Sequence, residues 1–315
     1  MTGVAEWCQR IVAGDIRALA RAATAIENRQ AAGEPLLKAL FPHTGRAAVL
    51  GITGAPGAGK STFVDALARA YRQENKQVAI LAVDPTSPYT GGAILGDRIR
   101  MQSHHADPGV FIRSMATRGC LGGLARATTG LALLFDAAGR DAVLIETVGV
   151  GQDEVEIARL ADVTLLVLVP NMGDDVQAIK AGIMEIADVF VINKSDQPGA
   201  DRLEREIKAM QSLSTRKDGW VPPIVWTVAN QGQGIDQVLA AVREYQARSP
   251  RQSRAVETWA LRLRDMLRDR VLERFAHVDF EEAARRVAAH EVDPFTVLDA
   301  WLGKDGGAGP RQNAI

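Results

Sequence analysis

The residues with the clearest chemical potential form a glycine-rich segment at positions 54–61. The segment reads GAPGAGKS, matches the pattern G-x-x-x-x-G-K-[ST], and lies between the apolar stretch AVLGIT and the helix-forming stretch STFVDALARAY. Glycines let backbone amides close around a β-phosphate, and the N-terminus of the following helix favours negative charge. We expect Lys60 to bridge β- and γ-phosphate oxygens, the Ser61 hydroxyl to bind Mg²⁺ and Thr62 to contact the α-phosphate. The expected nucleotide contacts in this phosphate loop are Gly54, Ala55, Pro56, Gly57, Ala58, Gly59, Lys60, Ser61 and Thr62.

A phosphate loop of this kind works with a metal ion that a carboxylate helps to hold. Glu146 ends the apolar stretch DAVLIE and begins ETVG, an acid-x-x-Gly sequence. In such a sequence the acid acts on Mg²⁺, directly or through water, and the amide of Gly149 can sense the γ-phosphate. Asp84, after QVAILAV, and Asp97, in Gly-Asp-Arg, are further candidate metal ligands. For both aspartates a surface or helix-capping role remains open.

The tetrapeptide NKSD at positions 193–196 indicates which base the nucleotide carries. The carboxylate of Asp196 can accept hydrogen bonds from the ring N1–H and the exocyclic amine of guanine, a pair of donors that adenine lacks. The stem of Lys194 can lie on the face of the base, and Asn193 can tie this loop to the phosphate loop. One apolar stretch later, a backbone amide of Val228, Ala229 or Asn230 can contact guanine O6, although an ordinary strand-to-helix loop remains the alternative there.

The residue that orients an attacking water is not evident. GTP-hydrolysing switch proteins commonly place glutamine directly after the acid-x-x-Gly glycine, and this chain has Val150 there. Gln152 and Glu154 lie close by, and Asp174 and Lys180 are candidates further along the chain. We therefore expect slow hydrolysis by the isolated protein and faster hydrolysis when a partner orders these loops.

Composition limits the classes of partner. The 37 basic and 38 acidic residues nearly cancel, which argues against a whole-molecule attraction to nucleic acid or to an anionic membrane. Cys8 and Cys120 are far apart and lie in no Cys/His cluster of metal-ligand spacing, so we expect reduced thiols. The apolar runs are far shorter than the roughly 20 residues that a membrane helix needs. We expect a cytoplasmic protein that binds neither nucleic acid nor membrane.

The central part of the chain, residues 47–247, alternates short apolar runs with helical stretches. Runs that are apolar on both faces, separated by helices, are typical of a mainly parallel sheet covered on both sides. The sequence therefore predicts an α/β, doubly wound fold with helical extensions at both ends. The seven predicted strands lie in AAVLGIT, QVAILAV, VFIRSM, DAVLIE, VTLLVLV, DVFVIN and PPIVWTV.

Both ends of the chain have helical periodicity. Residues 4–31 predict one or two amphipathic helices that break at 14–15, and residues 33–46 predict a connector. After residue 250 we expect one long helix, two shorter helices at 279–290 and 294–302, and a disordered tail. The predicted division is an N-terminal helical extension (1–46), a nucleotide-binding domain (47–247), a C-terminal helical arm (248–303) and a tail (304–315).

The apolar stripe of the long helix must pack against something. It can lie on its own domain, or it can form a dimerisation arm. The stripe consists of Ala260, Leu263, Leu267, Val271 and Phe275.

Together these motifs resemble those of a known family. Glutamate in place of aspartate in the acid-x-x-Gly sequence is similar to the G3E class of P-loop GTPases. More narrowly, the chain resembles the MeaB/ArgK/MMAA family through seven blocks in order: GAPGAGKST, AVDPTSP, LGDRIRM, FIRSMATRGCLGG, ETVGVGQDEVE, GDDVQAIKAGI and NKSD. The match is strong over residues 45–245 and looser in the terminal helices.

The resemblance implies a function that the motifs alone do not. Members of that family are GTPase chaperones of adenosylcobalamin-dependent acyl-CoA mutases, chiefly methylmalonyl-CoA mutase, and are typically homodimers through C-terminal helices. It implies a partner-responsive switch over residues 171–180, in which Asp174 and Lys180 move towards the nucleotide. Residues 115–118 and 171–172 depart from the family pattern, so the particular mutase stays open. Roles in Mg²⁺ binding or loop switching are implied for Asp84, Asp97 and Glu146.

Three rival functions remain. A nickel or zinc metallochaperone of the same class needs clustered Cys and His ligands, whereas only His104 and His105 are adjacent and we expect them to form a surface pair. A kinase linked to lysine/arginine/ornithine-type (LAO/AO) amino-acid transport, a label attached to ArgK-like chains, needs an acceptor pocket with a base. A nucleotide-sensing scaffold without turnover is the third, and the missing glutamine favours it.

Overall fold

A computed structural model describes residues 2–84, 104, 107–116, 123–147, 160–170, 186–213, 216, 218–248, 251–275 and 277–303. Its strands are β1 (Ala48–Thr53), β2 (Val78–Asp84), β3 (Val110–Ala116), β4 (Ala142–Glu146), β5 (Val163–Leu168), β6 (Val189–Ile192) and β7 (Ile224–Trp226). Its helices are α1 (Thr2–Val12), α2 (Ile16–Glu27), α3 (Gly33–Leu40), α4 (Lys60–Gln73), α5 (Gly123–Ala137), α6 (Ala200–Leu213), α7 (Ile235–Arg248), α8 (Arg251–Arg274), α9 (Phe280–Ala288) and α10 (Pro294–Leu302).

The seven strands form one sheet in the order β3-β2-β4-β1-β5-β6-β7, and all neighbouring pairs are parallel. The predicted α/β fold with a doubly wound parallel sheet is confirmed. β1 lies at the centre, between β4 and β5. The carboxyl ends of all seven strands meet at one edge, which is where open parallel sheets of this kind bind ligands.

Helices cover both faces of the sheet because alternate residues of each strand point to opposite sides. In β1, Leu50 and Ile52 pack with α4 and α7, whereas Val49 packs with α5 and the N-terminal helices. Towards β6, the second face is covered by α6 through Leu203 and Ile207. Burial on both faces explains why the strands are apolar throughout rather than alternating with polar residues.

The N-terminal helices are part of the core. The break predicted at 14–15 is present, and Asp15 caps α2 by accepting a hydrogen bond from the Ala18 amide at 3.0 Å. The predicted connector is wrong in its first half, because residues Gly33–Leu40 form α3. Leu36 and Leu40 of α3 are fully buried in the cluster that covers the second face of the sheet.

One carboxylate fixes the approach of the chain to β1. Asp136 of α5 accepts hydrogen bonds from the backbone amides of Gly45, Arg46 and Ala47, at 2.5, 3.0 and 2.9 Å respectively. A carboxylate that receives several amide bonds replaces the ladder bonds that these amides lack outside the sheet. The start of the strand that leads into the phosphate loop is thereby held by α5.

The chain divides into two compact units, Met1–Arg262 and Leu263–Ile315. In the second unit the two short helices predicted from the sequence are present, and the rings of Phe280 and Trp301 meet edge-on with 5.1 Å between centroids. No helix in the described ranges is long and apolar enough to cross a membrane. Several apolar side chains of the second unit are exposed: Leu263, Met266, Leu267, Val271, Leu272, Phe280, Phe295, Leu298 and Leu302.

We predict that Leu36→Ala lowers the free energy of unfolding by about 2–5 kcal/mol, because it empties a fully buried site between α3 and the sheet. Urea unfolding followed by circular dichroism measures this. Leu213→Ala is the matched control, since its side chain is 87% exposed, and it should change the value by less than about 0.5 kcal/mol. Equal effects of the two substitutions would show that the N-terminal helices are not an integral layer.

Candidate nucleotide-binding site

The phosphate loop connects β1 to α4, and its glycines adopt left-handed or otherwise glycine-favoring backbone angles. Gly54, Gly57 and Gly59 have φ values of 142°, 79° and 85°. A Cβ at Gly54 would lie 2.1 Å from the Val167 carbonyl oxygen, and one at Gly59 would lie 2.6 Å from Nδ2 of Asn193. Around Gly57 a Cβ would meet nothing within 4 Å. Two of the three glycines are therefore required by packing against other parts of the protein, and the third faces open space.

Lys60 is the first residue of α4 and is only 6% exposed. Its Nζ donates hydrogen bonds to the carbonyls of Gly54 at 2.7 Å and Ala55 at 3.0 Å. These bonds fold the side chain back over the loop, so that the ammonium group lies against the backbone that is expected to surround the phosphates. The position suits a cation that neutralises phosphate charge.

Ser61 and Glu146 meet at the carboxyl edge of the sheet. The Ser61 hydroxyl donates a hydrogen bond to Oε1 of Glu146 at 2.6 Å, and Glu146 is 4% exposed. Asp84 is the last residue of β2, which pairs with β4 so that Ala82 lies opposite Glu146. Asp84 thus ends the strand beside that of Glu146. Hydroxyl and carboxylate oxygens are the hard ligands that Mg²⁺ prefers, and a nucleotide site needs only one or two from the protein because phosphates supply others.

Asn193 joins the base loop to the phosphate loop, as the sequence predicted. It follows β6 and is 2% exposed. Its Nδ2 donates to the carbonyl of Ala58 at 2.9 Å, while its Oδ1 accepts from the Thr227 hydroxyl at 3.2 Å and from the Ala229 amide at 3.1 Å. Thr227 was not among the residues predicted from the sequence, although a hydroxyl at the end of an apolar strand next to the expected site is a usable signal.

The rest of NKSD is arranged around this link. Lys194 has a positive φ of 54° and its Nζ donates to the Gly57 carbonyl at 3.0 Å. The amide and hydroxyl of Ser195 both donate to the Thr227 carbonyl, each at 3.1 Å. Asp196 is exposed. Lys194 therefore bridges the two loops while Asp196 faces solvent, where a base can reach its carboxylate.

The loop at 228–230 is packed against the base loop. The Ala229 amide is used by Asn193 and the Val228 amide donates to the Gln233 carbonyl at 3.2 Å. Asn230 is exposed. One of three backbone amides was predicted to contact guanine O6. Two of these candidates donate to other groups of the protein, which leaves the amide of Asn230 as the favoured candidate.

Several predicted site residues lie outside the described ranges. They are the candidate metal ligand Asp97, the candidate γ-phosphate sensor Gly149, and the candidate catalytic residues Gln152, Glu154, Asp174 and Lys180. Their roles stay predictions.

The expectation that His104 and His105 form a surface pair is wrong for His104. His104 is 4% exposed, and its Nε2 lies 2.9 Å from Oδ1 of Asp65 on α4. The reason is a tertiary contact, because Asp65 gives the imidazole a buried polar partner. His105 lies outside the described residues. Within the part of the chain that the structure describes, no group of three or more His, Cys, Asp or Glu side chains could hold a metal ion.

The fold and this site define a class. A glycine-rich phosphate loop after the central strand of a parallel sheet, bonded to an Asn-Lys-x-Asp loop after β6, is the arrangement of a P-loop protein for guanine nucleotides. The sequence model of the family described as "Methylmalonyl Co-A mutase-associated GTPase MeaB" matches residues 19–281. The chain therefore belongs to the MeaB family of GTPases, as the resemblance of its motifs predicted.

Individual relatives agree with this assignment over nearly the whole chain. A relative from Pyrococcus abyssi is 46% identical over 308 residues, which cover 94% of this chain and 95% of that protein. The GTPase ArgK of Escherichia coli is 39% identical over 300 residues, with 90% and 89% of the two chains covered. The crystal structure of an LAO/AO transport system kinase is 32% identical, covers 95% of this chain and 96% of that chain, and has a TM-score of 0.73.

We predict that Asn193→Ala weakens GDP binding on the order of tenfold, because it leaves the Ala58 carbonyl and the Ala229 amide without their buried partner. Calorimetric titration with GDP measures the affinity. Gln197→Ala is the control, since Gln197 is an exposed residue of the same loop, and it should stay within about twofold of wild type. An unchanged affinity in Asn193→Ala would contradict the importance of this link.

Proposed function

We propose that the protein binds GTP with Mg²⁺, hydrolyses it to GDP and phosphate, and uses this cycle to gate adenosylcobalamin loading into a cobalamin-dependent acyl-CoA mutase that it also protects or reactivates. Methylmalonyl-CoA mutase is the first candidate client, because the matching family is described as associated with that enzyme. The observation that carries the nucleotide half of the proposal is the bond between Asn193 and Ala58, which couples a guanine-type base loop to a phosphate loop.

Guanine selectivity rests on Asp196. Its exposed carboxylate can accept two hydrogen bonds from guanine, whereas adenine presents no matching pair of donors. Lys194 is held near the phosphate loop by its bond to Gly57, so its aliphatic stem is available to cover the base. A site built to accept both guanine donors discriminates against adenine, because a bound adenine would cover the Asp196 carboxylate without offering it a matching pair of donors.

The phosphates and the metal would be held by groups that are already close together. Lys60 exchanges its bonds to loop carbonyls for phosphate oxygens, and Ser61 and Glu146 would hold Mg²⁺ with Asp84 from the neighbouring strand. When bound, Mg²⁺ neutralises charge that develops on the β- and γ-phosphate oxygens. Glu146 accepts a hydrogen bond from the Ser61 hydroxyl, which keeps the two proposed metal ligands next to each other at the carboxyl edge of the sheet.

Hydrolysis is expected to be slow without a partner. Val150 offers no hydrogen bond to a water molecule, so Gln152, Glu154, Asp174 or Lys180 must orient the water. A client that orders these residues would speed the reaction, which couples turnover to the mutase. We further place the protein in the cytoplasm, as expected from its sequence.

We also propose a homodimer formed by the predicted arm, residues 248–303. The exposed apolar side chains of the second unit support this, since a stripe of apolar side chains in water is unfavourable until it is covered. Leu267 is 65% exposed and lies in the middle of the predicted stripe.

A second function has one specific observation in its favour, the similarity to the crystal structure of an LAO/AO transport system kinase. A kinase would pass the γ-phosphoryl group to a protein or metabolite rather than to water. The released phosphate would then fall short of the GDP that is formed.

We predict GTP turnover that rises at least about tenfold when holo methylmalonyl-CoA mutase is added, with free phosphate equal to GDP, and no turnover of ATP. Phosphate release and nucleotide chromatography measure both products. Asp196→Asn is the matched variant, because it removes one guanine acceptor and should abolish the preference for GTP over ATP. Fast turnover that no mutase alters would contradict the chaperone role. Phosphate in deficit of GDP would favour the kinase.

We predict that Leu267→Glu halves the mass of the particle in solution, because a buried charge would oppose a leucine-lined dimer face. Light scattering after size-exclusion chromatography measures the mass. Leu213→Glu places the same change at an exposed site on α6 and should leave the mass as it is. A monomeric wild-type protein would refute the dimer.

A further inference from the structure

The first part of α8, up to Arg262, belongs to the first unit and packs there through Trp259 and Arg262. The ring of Trp259 meets that of Phe41 edge-on, with 5.8 Å between centroids. The guanidinium of Arg262 lies over the same indole, 5.0 Å from its centroid, and donates a hydrogen bond to the backbone carbonyl of Leu160. An arginine of a C-terminal helix thus reaches a backbone atom on the chain between β4 and β5.

Leu160 lies at the amino edge of the sheet. It is buried and is the last helical residue before β5. Two residues on, the Asp162 amide donates to the Val49 carbonyl at 2.7 Å, and the Val49 amide donates to the Asp162 carboxylate at 2.9 Å. The last carbonyls of a helix lack partners within the helix, and an arginine is a suitable donor to them. Arg262 therefore holds a backbone carbonyl two residues before a point that is already bonded to β1.

The other end of the same stretch of chain is fixed at the carboxyl edge. There Glu146 bonds Ser61, and the Thr147 amide donates to the Ile52 carbonyl at 3.1 Å. The sequence between Thr147 and Leu160 carries the predicted γ-phosphate sensor and two of the candidate water-orienting residues. The described structure thus holds this stretch at both ends, by the nucleotide site at one and by α8 at the other.

Arg262 has a largely buried guanidinium group, which is unusual for a residue that only fills space. Burial lowers the pKa of its guanidinium from the ordinary value, and the charge of Asp162 opposes that shift. Its Nε is buried and has no hydrogen-bond partner among the described residues. A methionine would fill similar space without the cost of removing a cation from water, so packing alone does not account for arginine here.

We propose that Arg262 is a positioning residue for GTP hydrolysis. By donating to the Leu160 carbonyl from α8, it fixes the far end of the stretch of sequence that begins at Glu146. α8 continues to Arg274 and carries the exposed side chain of Leu267. This inference rests on the proposed GTPase function and adds a residue of α8 that positions part of the same site.

The test compares Arg262→Met, Arg262→Lys and the control Arg264→Met, an exposed arginine on the same helix, in the full chain. Arg262→Met should lower kcat for GTP on the order of tenfold while KM for GTP and Kd for GDP stay within about twofold, since misplacement affects the reacting groups more than ground-state binding. Arg262→Lys can still donate to the carbonyl and should recover most of kcat. Arg264→Met should match wild type. Hydrogen exchange of residues 148–162 should accelerate in Arg262→Met, whereas residues 54–62 should not change.

The outcomes separate this inference from the function on which it rests. If the wild type turns over GTP but Arg262→Met keeps its kcat and its exchange rates, the inference is overturned and the GTPase stands. If kcat, GDP affinity and thermal stability fall together and lysine gives no rescue, the residue is only structural and the inference is again wrong. If the wild type hydrolyses no GTP, the proposed function fails, and the exchange data alone decide whether Arg262 holds residues 148–162.

Discussion

The amide group of Asn193 is the contact on which the nucleotide site depends. It donates to the phosphate loop at Ala58 and accepts from Thr227 and Ala229 beyond β7, so one planar group joins segments that follow three different strands. Aspartate could not donate to Ala58, and leucine could neither donate nor accept. Because the group is buried, each bond is stronger than it would be in water and each loss is more costly. The spacing of the base loop and the phosphate loop therefore depends on the Asn193 side chain, with the bond from Lys194 to Gly57 as a second link.

The position of Asn193 also helps to explain why the phosphate loop needs glycine at some positions before a nucleotide is considered. The sequence pattern assigns them to the approach of phosphate, yet Gly59 lies where a Cβ would collide with Asn193, and Gly54 lies against the Val167 carbonyl. These two glycines let the loop approach β5 and the base loop closely, so they are needed before any nucleotide binds. Gly57 differs because it faces open space with a positive φ, which matches a loop amide that turns towards phosphate.

The features predicted correctly from the sequence are those that local patterns encode. Some of the features that were missed depend on contacts between residues far apart in the chain. The seven strands were predictable because burial on both faces leaves continuous apolar runs. The positions of Ser61 and Glu146 were predictable because the phosphate-loop motif places Ser61 at the start of the following helix and Glu146 ends an apolar strand. α3 was missed because Gly33 and Pro35 look like loop residues, although proline is tolerated in the first turn of a helix. The burial of His104 depends on a residue 39 positions away, and the contact of Arg262 on one 102 positions away, which no periodicity reveals.

The groups of the candidate nucleotide site serve any guanine nucleotide. Recognition of the proposed client would therefore use other surfaces, and the exposed apolar side chains of the C-terminal helices are suited to binding a protein. They leave large apolar side chains such as Leu263 and Phe295 exposed, on a chain whose net charge of −1 gives little repulsion between molecules. Burial of apolar surface would favour association through such a face, and the small net charge would give little electrostatic repulsion between the molecules. α8 carries part of this face and also donates to the Leu160 carbonyl through Arg262, so the proposed interface and the proposed positioning of residues for GTP hydrolysis would involve the same helix.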